Sequence, residues 1–355
     1  MALALNLARR GLGRVWPNPA VGCVIVKDGN IVGRGWTQDG GRPHAETEAL
    51  HRAGQSARGA TAYVTLEPCA HHGKTPPCAE ALIAAGVSRV VSALEDPDPR
   101  VAGKGHAILR AANITVDVGT RANEARTVNA GFLSRITKDR PTVALKLATT
   151  LDGKIALSDG TSRWITGERA RAHVHLLRAQ FDAVMIGAGT AVADDPELTS
   201  RLPGMNAGRI VRIVVDTNAR LSPTSKLANT AHKQPVWMLT APNTKAPATL
   251  GAKAVEAIHV PAAENGIDLS AALKILAQRG LTRIFVEGGA TLAASLVKAD
   301  LVDNLLWYRA PAIMGEGISA LGSLSLGELA SLPRFRREET IRLGEDVLET
   351  YARAH

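Results

Sequence analysis

Apolar residues recur in the first half of the chain in short runs that alternate between strand spacing and helix spacing. The turn Asp28-Gly29 separates two apolar runs and predicts a β-hairpin. Further strands are predicted at 60–66, 87–94 and 114–118, and helices at 44–53, 78–85, 105–112 and 122–137. Strands that alternate with helices are typical of a mostly parallel sheet covered by helices. We therefore predict the α/β class.

The segment Lys138-Asp139-Arg140-Pro141 is polar, ends in a helix breaker and precedes a new apolar strand. We place a domain boundary there, with domains at 1–139 and 140–355, because 355 residues are enough for two cores. In the second domain a predicted strand at 283–286 leads through Gly288-Gly289 into a predicted helix. The N–H groups at that helix start suit a cofactor pyrophosphate, although an ordinary strand-to-helix connection has the same pattern.

Composition is that of a globular protein, with 45% hydrophobic and 21% charged residues. No apolar run approaches the roughly 20 residues that a membrane-spanning helix needs. The first ten residues carry their charge after the apolar stretch, which is the reverse of a secretory signal. We therefore expect a cytoplasmic protein with no membrane partner.

The net charge is +9, which raises the question of a nucleic-acid partner. The basic residues, however, are scattered, and the few aromatic residues do not interleave with a basic run to make a base-stacking surface. A phosphorylated small substrate and a polyphosphate cofactor account for the charge equally well. We expect no nucleic-acid partner.

One imidazole, one carboxylate and two thiols follow one another in an order that suits a catalytic metal: His44, Glu46, Cys69 and Cys78. A Zn²⁺ ion held by one neutral imidazole and two thiolates keeps a fourth position for water, whose pKa falls to about 7. The carboxylate is placed to move a proton from that water to a departing amine. His-x-Glu followed by Pro-Cys and a second Cys is the zinc-deaminase signature, in which the Glu is not a ligand.

Two other interpretations of this segment stay open. A structural zinc site would add a fourth protein ligand, for which His71 or His72 is available. Alternatively, Cys69 and Cys78 could form a disulfide, although three cysteines in a chain without a signal peptide favour a reducing compartment.

Eight residues separate the two cysteines, where nucleoside and nucleic-acid deaminases have two. The run from Glu67 to Cys78 resembles the deaminase half of the bifunctional riboflavin-biosynthesis deaminase/reductase family. The segment from Trp16 to Val26 is similar to the opening segment of the same family. Two positions depart from the family pattern, since Trp16 stands where Thr is common and Thr37 where His is common.

Several stretches of the second half resemble the reductase half of that family, which is similar to dihydrofolate reductase in fold. They are 142–156, with Thr150 where Ser is usual, 162–166, 176–178, 187–190, 194–201 and 286–292. The resemblance implies a cytidine-deaminase-like domain of α/β/α layers followed by a dihydrofolate-reductase-like α/β domain. It also implies two cofactors, Zn²⁺ and NADPH.

The resemblance assigns a role to each site residue. Glu46 is the expected catalytic residue, and His44, Cys69 and Cys78 are the expected metal ligands. The expected cofactor contacts are Ala148, Trp164, Thr190, Asp194, Thr217, Gly289, Ala290, Thr291, Leu292, Ala293, Ala294 and Ser295. The expected substrate contacts are Asn18, Ser162, Arg178, Leu198, Arg201 and Glu287.

The implied reactions are hydrolytic deamination of 2,5-diamino-6-ribosylamino-4(3H)-pyrimidinone 5′-phosphate and then reduction of the ribosyl group to ribityl by NADPH. We also expect a homo-oligomer. A nucleic-acid-editing deaminase is a second hypothesis, favoured by the charge and opposed by the long inter-cysteine segment and the second domain. A regulatory module that binds zinc and a nucleotide without turnover is a third, and the presence of Glu46 opposes it.

Overall fold

The computed structural model describes residues 1–72, 76–204 and 210–354. The chain folds into two compact units, Met1–Arg140 and Pro141–His355. We refer to them as the N-terminal unit and the C-terminal unit and describe each by itself. Among the described residues, none of the helices combines the length and the apolar composition of a membrane span.

The N-terminal unit alternates helices and strands around one five-stranded sheet of order β2-β1-β3-β4-β5. In chain order its elements are α1 (Ala2–Ala8), β1 (Gly22–Lys27), β2 (Asn30–Trp36), α2 (Ala45–Ala53), β3 (Thr61–Val64), α3 (Cys78–Ala84), β4 (Arg89–Ser92), α4 (Lys104–Ala111), β5 (Thr115–Val118), α5 (Ala122–Val128) and α6 (Ala130–Lys138). β3, β4 and β5 are parallel, whereas β1 runs antiparallel to both β2 and β3. The expected α/β class is confirmed, but the sheet is mixed rather than mostly parallel.

Two glycines in β2 let helix α2 lie directly on the sheet. A Cβ atom on Gly33 would lie 2.2 Å from the carbonyl oxygen of Ala49, and one on Gly35 would lie 2.4 Å from that of Ala45. Both distances are shorter than any ordinary Cβ contact, so a larger residue would push the helix away. This close packing fixes the start of α2, where His44 and Glu46 stand.

The single helix expected at 122–137 was wrong in one respect, because the structure contains two helices, α5 and α6, that meet at Asn129. Asn129 has φ −97° and ψ 14°, outside the α-helical region. Its side chain is buried, and its Oδ1 accepts a hydrogen bond from the backbone N–H of Ala20 at 2.9 Å. A hydrogen bond to a residue 109 positions earlier is not visible in helical spacing.

The C-terminal unit contains a nine-stranded sheet of order β11-β10-β9-β8-β14-β6-β15-β18-β17. In chain order its elements are β6 (Thr142–Thr149), β7 (Lys154–Ala156), α7 (Glu168–Arg178), β8 (Ala183–Gly187), α8 (Ala188–Asp194), β9 (Val211–Val215), α9 (Lys226–Asn229), β10 (Val236–Thr240), α10 (Ala248–Ala252), β11 (Val255–His259), β12 (Ala262–Ala263), β13 (Gly266–Ile267), α11 (Leu269–Gln278), β14 (Arg283–Val286), α12 (Ala290–Lys298), β15 (Asn304–Arg309), β16 (Ile318–Ser319), β17 (Phe335–Leu343) and β18 (Asp346–Arg353).

Seven strands of this sheet run parallel to one another: β11, β10, β9, β8, β14, β6 and β15. The sheet continues with β18, antiparallel to β15, and β17, antiparallel to β18. Parallel sheets of this kind bind ligands outside the carboxyl ends of their strands. In this unit the carboxyl ends of β6, β8, β9 and β14 bring Ala148, Gly187, Thr217 and Glu287 to one edge. The sheet therefore positions a site at that edge.

Two candidate active sites

The predicted zinc ligands meet in the N-terminal unit at the start of two helices. His44 is the N-cap of α2, Cys78 is the first residue of α3, and Cys69 lies in the segment after β3. His44 Nδ1 lies 3.3 Å from the Cys78 Sγ atom and 3.6 Å from that of Cys69. The three ligand atoms all lie within 4.8 Å of one another, as a shared metal ion requires.

The two thiols of this cluster shift each other's pKa in opposite directions. A hydrogen bond from the Cys78 thiol lowers the pKa of Cys69 to about 4, and the same contact raises the pKa of Cys78. The backbone N–H of Cys78 also donates to the Cys69 Sγ atom at 3.2 Å. Both sulfurs therefore lie together where a divalent cation could displace thiol protons. One imidazole and two thiols are the donor set that Zn²⁺ prefers, so the residues fit the metal.

Glu46 lies in the first turn of α2, two residues after His44, and is only 3% exposed. Burial raises the pKa of Glu46 to about 7, against the opposing effect of His44. A carboxyl group whose pKa lies near neutrality can both accept and return a proton at physiological pH. The described residues therefore contain a proton-transfer group beside the ligand cluster.

The two other interpretations of the cysteines were a disulfide and a structural zinc site with His71 or His72 as a fourth ligand. Cys69 and Cys78 are both free thiols in the structure. Among the described residues the metal-competent cluster contains neither His71 nor His72, and His72 bonds Glu80 at 3.0 Å instead. Residues 73–75, which belong to the long inter-cysteine segment, lie outside the described residues.

Thr37, one of the two positions at which the chain departs from the family pattern, directly follows β2. Thr37 is buried, and its hydroxyl accepts a hydrogen bond from the Val21 N–H at 3.0 Å and donates to the Pro19 carbonyl at 3.2 Å. Thr37 therefore fixes the backbone that enters β1. Asn18 is half-buried beside Gly41, where a Cβ atom would lie 1.8 Å from the Asn18 amide nitrogen. Gly41, with φ +87°, leaves room for that amide.

A cavity of about 1500 Å³ lies at the carboxyl edge of the C-terminal sheet. This volume exceeds what one drug-sized ligand occupies, so it has room for a dinucleotide and a second small molecule. Most residues predicted to contact cofactor or substrate in this unit line it. They are Ala148, Ser162, Trp164, Arg178, Thr190, Asp194, Leu198, Arg201, Thr217, Glu287, Gly289, Ala290, Thr291, Leu292 and Ser295.

Two predicted cofactor contacts lie elsewhere on α12. Ala293 is fully buried and Ala294 is 7% exposed, and neither lines the cavity. A helix turns about 100° per residue, so consecutive residues of the run 289–295 point in different directions. Only part of a continuous run can therefore meet a ligand through side chains.

Two helices begin at the cavity with N-caps that make no side-chain capping bond. Gly187 caps α8, and Gly289 caps α12. Glycine has no side chain to cap the first N–H groups of the helix, so they stay available to a ligand in the cavity. Such N–H groups, together with the helix dipole, bind phosphate groups. The residues present fit a pyrophosphate-containing cofactor.

A buried ion pair closes one side of this cavity. Arg178 donates to both carboxylate oxygens of Glu287, at 2.6 and 2.9 Å, and to the Thr199 carbonyl at 2.9 Å. Burial opposes ionisation of Glu287, but Arg178 outweighs it and holds the pKa of that carboxyl below its usual value. The three guanidinium nitrogens of Arg178 are thus occupied within the protein.

Lys146 is a cavity residue that the sequence reasoning missed. Burial lowers the pKa of Lys146 below its ordinary value, against the opposing effect of the Glu287 carboxylate. The signal was available, because Lys146 is a charged residue within the otherwise apolar strand β6. It stands two residues from Ala148, so both point to the same face of the sheet.

The loop after α8 carries two more predicted contacts. Leu198 is 4% exposed and has φ +55°, which is uncommon for a residue with a side chain. Arg201 is far more exposed and lies 3.6 Å from the Glu197 carboxylate. His175 and Arg178 of α7 both bond the Thr199 carbonyl, so α7 holds the loop at the cavity.

Two family models match this chain. Residues 1–94 match the cytidine and deoxycytidylate deaminase zinc-binding region, and residues 141–348 match the RibD C-terminal domain. Among curated proteins, riboflavin biosynthesis protein RibD of Escherichia coli K12 is 44% identical over 98% of this chain and 96% of its own length. RibD of Aquifex aeolicus is 41% identical over 99% of this chain and 97% of its own.

Solved structures show the same likeness over the whole chain. Acinetobacter baumannii RibD, form 1, has a TM-score of 0.90 with 38% identity and covers 100% of this chain and 98% of its own. The Thermotoga maritima diaminohydroxyphosphoribosylaminopyrimidine deaminase/5-amino-6-(5-phosphoribosylamino)uracil reductase has a TM-score of 0.87 with 35% identity, over 100% of this chain and 97% of its own. The chain belongs to the RibD family of bifunctional deaminase/reductase enzymes of riboflavin biosynthesis.

Proposed function

We propose that this chain deaminates 2,5-diamino-6-ribosylamino-4(3H)-pyrimidinone 5′-phosphate in the N-terminal unit. The C-terminal unit then reduces the ribosyl group to ribityl with NADPH. The observation that carries the first half is the His44, Cys69 and Cys78 cluster beside the buried Glu46. The second half rests on the large cavity with two uncapped helix starts.

In the deamination, His44, Cys69 and Cys78 would hold Zn²⁺. When bound, the ion would act as a Lewis acid, which makes water a nucleophile at neutral pH. Glu46 takes the proton of the attacking water and returns it to the departing amine. Its burial supports this role, because a pKa of about 7 leaves the carboxylate able to work in both directions. Asn18 contacts the pyrimidine in this proposal.

In the reduction, the N–H groups at the start of α12 would hold the pyrophosphate of NADPH, and Ala148 at the end of β6 would contact the cofactor. When bound, NADPH would supply the hydride. Glu287 orients the opened sugar, and Arg178 holds the Glu287 carboxylate in place. Hydride transfer depends chiefly on the orientation of cofactor and sugar, which the residues that line the cavity provide.

The substrate phosphate needs cationic partners, and Arg201 is the predicted contact best placed to supply one. Its guanidinium is exposed at the cavity and, within the described residues, forms a 3.6 Å ion pair with the exposed Glu197 carboxylate. Arg178, by contrast, is occupied by Glu287 and Thr199. We therefore propose that Arg201 binds phosphate directly and that Arg178 acts mainly by holding Glu287.

Three further parts of the proposal rest on the sequence. The deaminase domain ends at residue 139 and the reductase domain follows, the protein is a homo-oligomer, and it works in the cytoplasm. The likeness of the second domain to dihydrofolate reductase stays a prediction as well. Size-exclusion chromatography with light scattering would test the oligomeric state.

The test of the proposed function is turnover. The purified chain is incubated with the diaminopyrimidinone phosphate and NADPH, while mass spectrometry follows the exchange of an amino group for oxygen and absorbance follows NADPH oxidation. We expect the mass change first and NADPH oxidation after it. A chain that binds zinc and nucleotide but changes neither signal would be a regulatory module instead, and this proposal would be wrong.

A further inference from the structure

The carboxylate of Glu67, two residues before Cys69, is fully buried and joins three separate positions of the N-terminal unit. Its Oε2 accepts hydrogen bonds from the backbone N–H groups of Asp96 at 3.1 Å and Gly103 at 3.0 Å. Its Oε1 accepts one from the N–H of His106 at 3.2 Å. Nothing in the sequence pattern indicated a role for Glu67 beyond its place in a motif.

The same contact region is closely packed. A Cβ atom on Gly105 would lie 2.0 Å from the Pro68 carbonyl oxygen and 3.2 Å from Glu67 Oε1. The start of α4 therefore lies directly against the Glu67-Pro68 backbone, which only glycine permits. Hydrogen bonds from N–H groups to a carboxylate are among the stronger ones in proteins.

Cys69 is held from its other side by α3. Its carbonyl accepts the N–H of Ala79 at 3.2 Å, and its sulfur accepts the N–H of Cys78 at 3.2 Å. These bonds fix Cys69 relative to Cys78. They leave the preceding backbone to be fixed by Glu67 and the start of α4.

We infer that Glu67 is a positioning residue that holds Cys69 in place as a metal ligand, by tying the backbone before it to α4 and to the segment from Asp96 to Gly103. This inference rests on the metal site of the proposed function. Ligand atoms that are fixed before the metal arrives bind it more tightly, and loss of outer supporting contacts typically weakens metal binding 10- to 100-fold.

Glu67, Glu95 and His106 also have ligand atoms within 4.8 Å of one another, a geometry that could hold a cation. Both carboxylate oxygens of Glu67, however, already accept backbone N–H groups. Glu95 is exposed. A carboxylate that accepts three N–H groups is better suited to holding backbone than to binding a metal.

The test measures zinc affinity in the full chain, by competition with a chromogenic chelator, for Glu67→Gln and Glu67→Ala. The Gln amide has one acceptor oxygen, so at least one backbone N–H would face its NH₂ group. We expect zinc binding to weaken about tenfold in Glu67→Gln and up to about a hundredfold in Glu67→Ala. If Glu67→Ala does not fold by circular dichroism, the Gln variant decides.

Asp182 provides a matched control in the C-terminal unit. It is also a buried carboxylate with three donors, the N–H and hydroxyl of Thr282 and the N–H of Arg283, at 2.7 to 2.9 Å. Asp182→Asn should lower the melting temperature without changing zinc affinity. A purely structural role for Glu67 would make its variants behave like Asp182→Asn.

Three results would overturn the inference. Wild-type zinc affinity in both Glu67 variants would show that Cys69 needs no such support. Two zinc ions per wild-type chain, with one lost in Glu67→Gln, would make Glu67 a ligand of a second site. A wild-type chain that binds no zinc would overturn the proposed metal site and this inference together, whereas the first two results leave the proposed site intact.

Discussion

Replacement of Arg178 by Met should destabilise the C-terminal unit by leaving Glu287 without its main partner. The side chains are 13% and 9% exposed, and two hydrogen bonds of 2.6 and 2.9 Å join them. Removing one partner of a buried ion pair typically costs about 3–5 kcal/mol. The nearby Lys146 offsets part of this, so we expect a loss near the lower end, about 3 kcal/mol.

A loss of that size should lower the melting temperature by roughly 6–12 °C, since about 1 kcal/mol corresponds to roughly 2–4 °C in a unit of this length. Differential scanning calorimetry of wild type and Arg178→Met provides the measurement. The double variant Arg178→Met/Glu287→Gln should regain much of the loss, because a neutral amide then replaces the carboxylate that lacks its guanidinium partner. An exposed pair, Arg342 with Glu345, supplies the control, and Arg342→Met should change the melting temperature little.

The pH dependence has a definite sign. The folded-state pKa of Glu287 lies below its ordinary value, so its contribution to stability is present above the unfolded-state pKa. That contribution is lost as the pH falls through the lower, folded-state pKa. In Arg178→Met the guanidinium no longer opposes the effect of burial, so the pKa of Glu287 should rise. The stability of this variant should therefore begin to change at a higher pH than that of the wild type. A single variant as stable as wild type, with an unchanged pH profile, would refute the reasoning.

Three further predictions concern the proposed zinc site and the fold of the N-terminal unit. Glu46→Gln should keep its zinc, as metal analysis would show, and its deamination rate should fall about 10²- to 10⁴-fold, the usual contribution of a general acid/base. If the variant keeps its turnover, another group must transfer the proton. Cys69→Ser should lose zinc, and full occupancy would exclude Cys69 as a ligand. Asn129→Ala should destabilise the N-terminal unit by about 1–3 kcal/mol in urea unfolding, because the buried Ala20 N–H loses its acceptor, and unchanged stability would show that this bond is dispensable.

Local signals predicted most helices and strands of the N-terminal unit, and the three predicted zinc ligands lie together in the structure. His44 and Cys78 stand at helix starts that apolar spacing and glycine stops indicate, and the chemistry of the donor set does not depend on tertiary detail. The boundary predicted between residues 139 and 140 also rests on local signals, a polar segment and a helix breaker. Such signals lie within a few residues of one another in the chain.

Contacts between distant segments could not be predicted in the same way. Asn129 breaks a helix because it bonds Ala20, and helical spacing contains no information about that partner. The pairing of Arg178 with Glu287 joins residues 109 positions apart and changes the expected role of Arg178. Lys146 was visible as a charge in an apolar strand, but only the sheet order shows that it faces the cavity.

The central claim is that one chain carries two separate activities, and mixing two variants tests it most directly. Glu46→Gln alone should fail to deaminate the diaminopyrimidinone phosphate and should therefore form no ribityl product from it. Arg201→Ala should deaminate normally and lose about ten- to a hundredfold in reductase kcat/KM, the cost of one charge-assisted contact of roughly 1.5–3 kcal/mol. In a mixture, the deaminated intermediate made by Arg201→Ala can be reduced by Glu46→Gln. The account predicts that the mixture forms the ribityl product much faster than either variant alone. If both variants are folded and the mixture forms the product no faster than Arg201→Ala alone, the account is contradicted.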